Sequence, residues 1–144
     1  MTVLRMDHVG IVVEDLQSAI DFFRVLGLEL EGEGSLEGGI ADQVTALDGV
    51  RSDIAMLRTS DGSARIELSK FHKPASPEGG SGAPANAIGI RHVSFAVDDI
   101  DEAVSALQSH GAKLVGEIAR YEDYYRLCYM RGPEGIIVEL AQKL

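Results

Sequence analysis

A single cysteine, Cys128, stands in 144 residues, which excludes an internal disulfide and any cysteine-built zinc site. It falls in an apolar, strand-like stretch, where a small buried thiol is its simplest role. Positive charge is also scarce: 13 Lys and Arg against 23 Asp and Glu give a formal charge of −10. A nucleic-acid partner needs a basic face that releases counterions, and an anionic membrane surface needs the same, so neither is expected. No apolar run approaches the roughly 18 residues of a membrane span. The N-terminal MTVLRMDHVG has no basic segment followed by an apolar stretch and a small-residue cleavage site, which leads to the expectation of a cytoplasmic protein. A small-molecule partner fits what is left.

What the chain does have is an internal duplication. Residues 8 to 30 match residues 92 to 114 without a gap, an offset of 84 that aligns His8 with His92, Val13 with Val97, Asp15 with Asp99, Gly27 with Gly111 and Leu30 with Leu114. Ile66-Glu67-Leu68 matches Val138-Glu139-Leu140 at an offset of 72, so the first copy carries twelve more residues between these blocks. Each copy opens on a His and closes on a Glu.

The matched blocks read as strand, helix, strand. Val9, Ile11 and Val13 alternate with His8, Gly10 and Val12, and Val93, Phe95 and Val97 alternate with His92, Ser94 and Ala96. Asp15 and Asp99 take N-cap positions, the second with Glu102 three residues on, and Gly27 and Gly111 stand where the helices should stop. The stripes Leu16, Ala19, Ile20, Phe23 and Ile100, Ala103, Val104, Leu107 should pack on the apolar strand faces. Strands over about 28–36, 51–59, 112–121 and 125–131, then the Glu strands, complete a βαβββ pattern twice. The expected architecture is α+β: two tandem modules, about 3–71 and 88–144, forming one domain with a cupped mixed sheet around a central cleft. The Pro- and Gly-rich stretch 72–87 is expected to be a surface linker.

Strand alternation puts Arg65, Glu67 and Ser69 opposite the helix in the first copy, and Ile137, Glu139 and Ala141 opposite it in the second. His8, Glu67, His92 and Glu139 thus share the helix-free faces. Taken singly, such a His is a hydrogen-bonded structural residue and such a Glu a solvated one. Duplication of both at equivalent positions points instead to a ligand set for one divalent ion: zinc, nickel, iron, manganese or cobalt suits imidazole nitrogen with carboxylate oxygen. Without an ion, two carboxylates in one desolvated cleft repel. His72, in the linker, and His110, at a helix C-terminus, lack this support and read as structural. For Arg65 the simplest role is an ion pair with Glu67, with an anionic substrate group as the alternative. Ile40, Val44 and Leu47, at helical spacing in the extra segment, suggest a lid or wall for the cleft, or a surface insertion on its own module.

Tandem modules opening with DHVGIVVEDL and RHVSFAVDDI and closing with RIEL and GPEGIIVEL resemble the vicinal oxygen chelate superfamily over nearly the whole chain. That superfamily includes glyoxalase I, methylmalonyl-CoA epimerase, extradiol dioxygenases and fosfomycin and bleomycin resistance proteins. The ligand pattern His8, Glu67, His92, Glu139 is similar to that of bacterial glyoxalase I, whereas the epimerase usually has Gln where Glu67 stands. The resemblance implies a metal-dependent lyase or isomerase that moves a proton next to a carbonyl of a chelated small molecule, with zinc or nickel foremost and Glu67 and Glu139 as candidate bases. The alternatives it leaves are an antibiotic- or small-molecule-binding protein, an epimerase and a dioxygenase. Similar glutathione-dependent enzymes carry an Arg and an Asn where this chain has Val12 and Phe71, so the substrate need not be a glutathione adduct. Phe71 and the tyrosines 121, 124, 125 and 129 would line a less polar pocket, or simply pack the sheet. Edge strands left by cupped sheets favour a homodimer.

Overall fold

Hydrophobic alternation organises two separate sheets. The computed structural model describes residues 1–144 and divides into two compact units, Met1–Glu78 and Gly79–Leu144. No helix is long and apolar enough to cross a membrane.

The first unit runs β1 (Val9–Val12), α1 (Leu16–Val25), β2 (Glu29–Glu37), α2 (Gly39–Thr45), β3 (Arg51–Arg58) and β4 (Arg65–Lys73). Its sheet has the order β1-β4-β3-β2, with β1 parallel to β4 and the other pairs antiparallel. Asp15 caps α1, its carboxylate accepting from the Ser18 N–H at 3.0 Å, and Gly27 leaves the helix at φ +107°. The helix buries Ala19, Ile20, Phe22 and Phe23, and the sheet buries Ala55, Leu57, Ile66 and Leu68. Phe22 and Phe23 meet edge to face at 5.2 Å. The opposite sheet face, which carries Gly10, Val12 and Glu67, is left open.

The second unit repeats the plan with β5 (His92–Ala96), α3 (Ile100–Ser109), β6 (Lys113–Leu114), β7 (Ala119–Tyr121), β8 (Tyr125–Arg131), a 3-10 turn (Pro133–Gly135) and β9 (Ile137–Lys143). The order is β5-β9-β8-β6, with β7 also on β8, and β5 runs parallel to β9. Asp99 accepts from the Glu102 N–H at 3.0 Å. The mutation Asp99→Ala is expected to lower stability by about 1 kcal/mol, read as a shift in urea midpoint without a change in slope.

Two sequence expectations are corrected here. The strand over 112–121 is broken: Leu114 pairs with Met130 but Ala119 pairs with Leu127, so this strand carries two residues more than its partner and leaves the ladder after Val115. His72 lies within β4 rather than in a linker, because the ladder to β3 continues to Lys73 through an irregularity between Arg51 and Ser52. Its ring is paired with Asp53 at 2.8 Å, and Asp53 also accepts from Ser35 at 2.7 Å; these bonds hold its carboxyl below the usual range. His110 does close α3, bonded to the Ala106 carbonyl, and Cys128 is buried.

In the second unit, Arg131 fastens the chain that leads into it. Its guanidinium donates to the carbonyls of Ser81 at 3.2 Å, Ala83 at 3.0 Å and Gly135 at 3.1 Å. Gly135, at φ +79°, lies so close to this stretch that a Cβ there would come within 1.6 Å of the Ser81 carbonyl oxygen.

Candidate metal centre

His8 immediately precedes β1 and Glu67 sits on the adjacent strand β4, where Gly10 is its register partner. His8 Nε2 lies 3.7 Å from Glu67 Oε2. Two donors that each bind one ion at about 2.0–2.2 Å stand roughly 3–4 Å apart, so the spacing suits shared coordination. The remaining atoms of the pair are occupied from outside. His8 Nδ1 is 2.9 Å from Asp7 Oδ2, and Glu67 Oε1 receives the Ser69 hydroxyl at 3.5 Å. The Asp7 carboxyl is held below its usual range by hydrogen bonds from His8 and Arg5.

The second unit arranges its pair in the same way. His92 Nε2 lies 3.9 Å from Glu139 Oε2, and Glu139 Oε1 accepts from the Ser94 hydroxyl at 2.8 Å. The register partner of Glu139 on β5 is Ser94, which is why a serine supports the carboxylate here. On its other side Glu139 pairs with Tyr129 of β8, whose ring packs on the His92 imidazole at 4.9 Å between centroids. All four side chains remain partly exposed, the carboxylates at 28 % for Glu67 and 22 % for Glu139, so they are reachable from solvent.

In both units, then, the imidazole Nε2 and one carboxylate oxygen face each other while a neighbouring hydroxyl steadies the second oxygen. Neither unit adds a third His, Cys, Asp or Glu to its pair to complete a metal-holding group by itself. Of the supporting residues, the sequence offers Tyr129 as a pocket-lining or sheet-packing side chain, while it gives Asp7, Ser69 and Ser94 no role at the site. Asp7 and Ser69 had a usable signal, adjacency to His8 and same-face spacing from Glu67.

Arg65 does not pair with Glu67. It donates to Glu31 at 2.8 and 3.4 Å, which raises the guanidinium pKa and lowers that of the carboxyl. The reason is a bulge between Leu30 and Gly32, at Glu31, on the far strand of the same sheet. In the extra segment, Ile40 and Val44 of α2 face solvent while Ala41 is buried. The segment is tied to its own unit by Asp42, which accepts from the N–H groups of Gly49 and Val50. Beside Glu139 an open hollow of about 360 Å³ lies between Val115–Glu117 and Leu127–Tyr129, at the place where the strand leaves the ladder.

A family model described as the glyoxalase/bleomycin resistance protein/dioxygenase superfamily matches residues 5–140. The crystal structure of a glyoxalase family protein from Bacillus cereus is 52 % identical with a TM-score of 0.97, covering 100 % of this chain and 97 % of that one. The uncharacterized protein YaeR of Escherichia coli is 31 % identical over 96 % of both chains. The trypanothione-dependent glyoxalase I of Leishmania major, 19 % identical, has the same fold, with a TM-score of 0.69 over 97 % of this chain and 87 % of that one.

Proposed function

Because the chain belongs to the glyoxalase/bleomycin resistance protein/dioxygenase superfamily, we propose that it is a metal-dependent lyase or isomerase of the glyoxalase I type, with His8, Glu67, His92 and Glu139 as ligands of one divalent ion. The observation that carries this reading is the matched orientation of the two pairs, Nε2 toward Oε2 at 3.7 and 3.9 Å. The donor set is two imidazoles and two carboxylates, which suits zinc or nickel and also accommodates iron, manganese or cobalt. Two negative ligands match the charge of a dication. Asp7 fixes the His8 ring so that Nε2 presents its lone pair, the usual task of a carboxylate behind a metal-bound imidazole.

When bound, the ion supplies electrophilic stabilisation of the negative charge that develops on adjacent substrate oxygens. The chain supplies the rest. Glu139, held at Oε1 by Ser94, would loosen Oε2 from the ion when substrate arrives and use it as a base for a proton on the carbon next to a carbonyl. In this reading Glu67, contacted by Ser69, returns that proton or receives it in the opposite sense. Val12 and Phe71 offer no charge or amide to a glutathione moiety. The substrate in this reading is therefore a small chelating hydroxy- or keto-compound, and the working form is a homodimer.

The test begins with elemental analysis of untagged protein, where one ion per chain is expected; two would mean that the pairs act separately, and none would overturn the reading. Solvent deuterium exchange into 2-hydroxy and 2-keto compounds then reads the proton transfer. Stoichiometric metal without exchange in any of them would favour a sequestering protein. Asp7→Ala should weaken metal affinity by about 10–100-fold with an unchanged circular dichroism spectrum.

A further inference from the structure

We propose that Tyr129 is the positioning residue for His92: its ring, packed on the imidazole, holds Nε2 toward Glu139, the task that Asp7 performs for His8 through a hydrogen bond. The inference rests on the metal-dependent reading above and adds to it the means by which the second imidazole is held.

The duplication allows equivalent positions to be compared. In the first unit the residue before the His is Asp7, whose carboxylate lies 2.9 Å from His8 Nδ1. In the second unit Arg91 takes that position, a side chain with no acceptor, and its Nε donates to the Ile90 carbonyl at 3.0 Å. No other group of the chain accepts a hydrogen bond from His92 Nδ1. An imidazole on a part-exposed strand can rotate about two side-chain bonds, so another contact must hold Nε2 toward its Glu.

The residue opposite each Glu differs in the complementary sense. Across the ladder Glu67 faces Met56, whereas Glu139 faces Tyr129. Register partners share a sheet face, which puts Tyr129 on the face of Glu139. His92 is on that face too, two residues before Ser94, the β5 partner of Glu139. The Tyr129 ring reaches over β9 and its centroid lies 4.9 Å from that of His92, with the planes tilted by 37°. That separation is within the roughly 4.5–7 Å of attractive ring pairs.

The two devices act differently on the proton. A carboxylate behind Nδ1 keeps the proton there and leaves Nε2 a lone pair, while ring packing fixes orientation and selects neither form. His8 is therefore confined to one neutral form, and His92 exchanges between two until a ligand at Nε2 selects the form with the proton on Nδ1.

The first measurement uses metal-free protein at alkaline pH, where free imidazole is neutral. Nitrogen-15 NMR should find His8 in the Nδ1–H form alone and His92 in both forms. The His92 ring protons should carry a ring-current displacement that Tyr129→Phe keeps and Tyr129→Leu abolishes. The second measurement is a zinc competition titration. Tyr129→Leu should weaken zinc binding about threefold to tenfold, and Tyr129→Phe should stay within about twofold of the wild type. Circular dichroism spectra should be unchanged in both variants. Equal losses in the Phe and Leu variants would assign the effect to the hydroxyl and overturn the proposal. Unchanged affinity in Tyr129→Leu, or a His92 confined to the Nδ1–H form, would overturn it as well. A wild-type chain that takes up no zinc would remove the metal reading instead, and the ring-current comparison, which needs no ion, would still decide whether Tyr129 holds His92.

Discussion

Replacing Glu139 by Gln is expected to slow proton transfer by about 10²–10⁴-fold while metal content stays within severalfold of the wild type. The amide keeps the size of the side chain and one oxygen, which can face the ion while its NH2 group turns to Ser94 and donates to that hydroxyl. It cannot take up a proton from carbon. Elemental analysis and solvent exchange on the same preparation separate the two properties, and equal losses would give Glu139 a purely ligating role. Glu67→Gln, compared in the same way, identifies which carboxylate acts on which substrate face. Substitution of His8 or His92 by Ala should differ from both, with metal content and turnover lost together, since an imidazole in this arrangement has no second task.

The largest effect on stability is expected from Gly135→Ala. A methyl group there would lie 1.6 Å from the Ser81 carbonyl oxygen, and the backbone at φ +79° is one that side chains disfavour. Displacing either segment also disturbs the three carbonyls gathered by Arg131. Overpacking and left-handed strain together should cost about 3 kcal/mol, a fall in Tm of about 10 °C. Gly62→Ala serves as the control: its φ is +73° but nothing stands within 4 Å of the added carbon, so strain alone acts, at about 1 kcal/mol. Equal shifts in the two variants would show that the close approach to Ser81 contributes nothing.

By itself the sequence determined the duplicated α+β plan, the helix caps at Asp15 and Asp99, the stop at Gly27 and Gly111, and the face on which His8, Glu67, His92 and Glu139 stand. Each of these depends on periodicity or capping within a few residues, and the repeat supplied each one twice. Only the tertiary structure decided which side chains meet across strands. Glu31 reaches Arg65 because of a bulge two strands away, Ser94 supports Glu139 because β5 and β9 pair in one particular parallel register, and Tyr129 covers His92 because β8 lies on the other side of β9. Strand order and register bring together residues dozens of positions apart, and a shift of one residue would turn each of these side chains to the opposite face, so no local pattern could encode the partners.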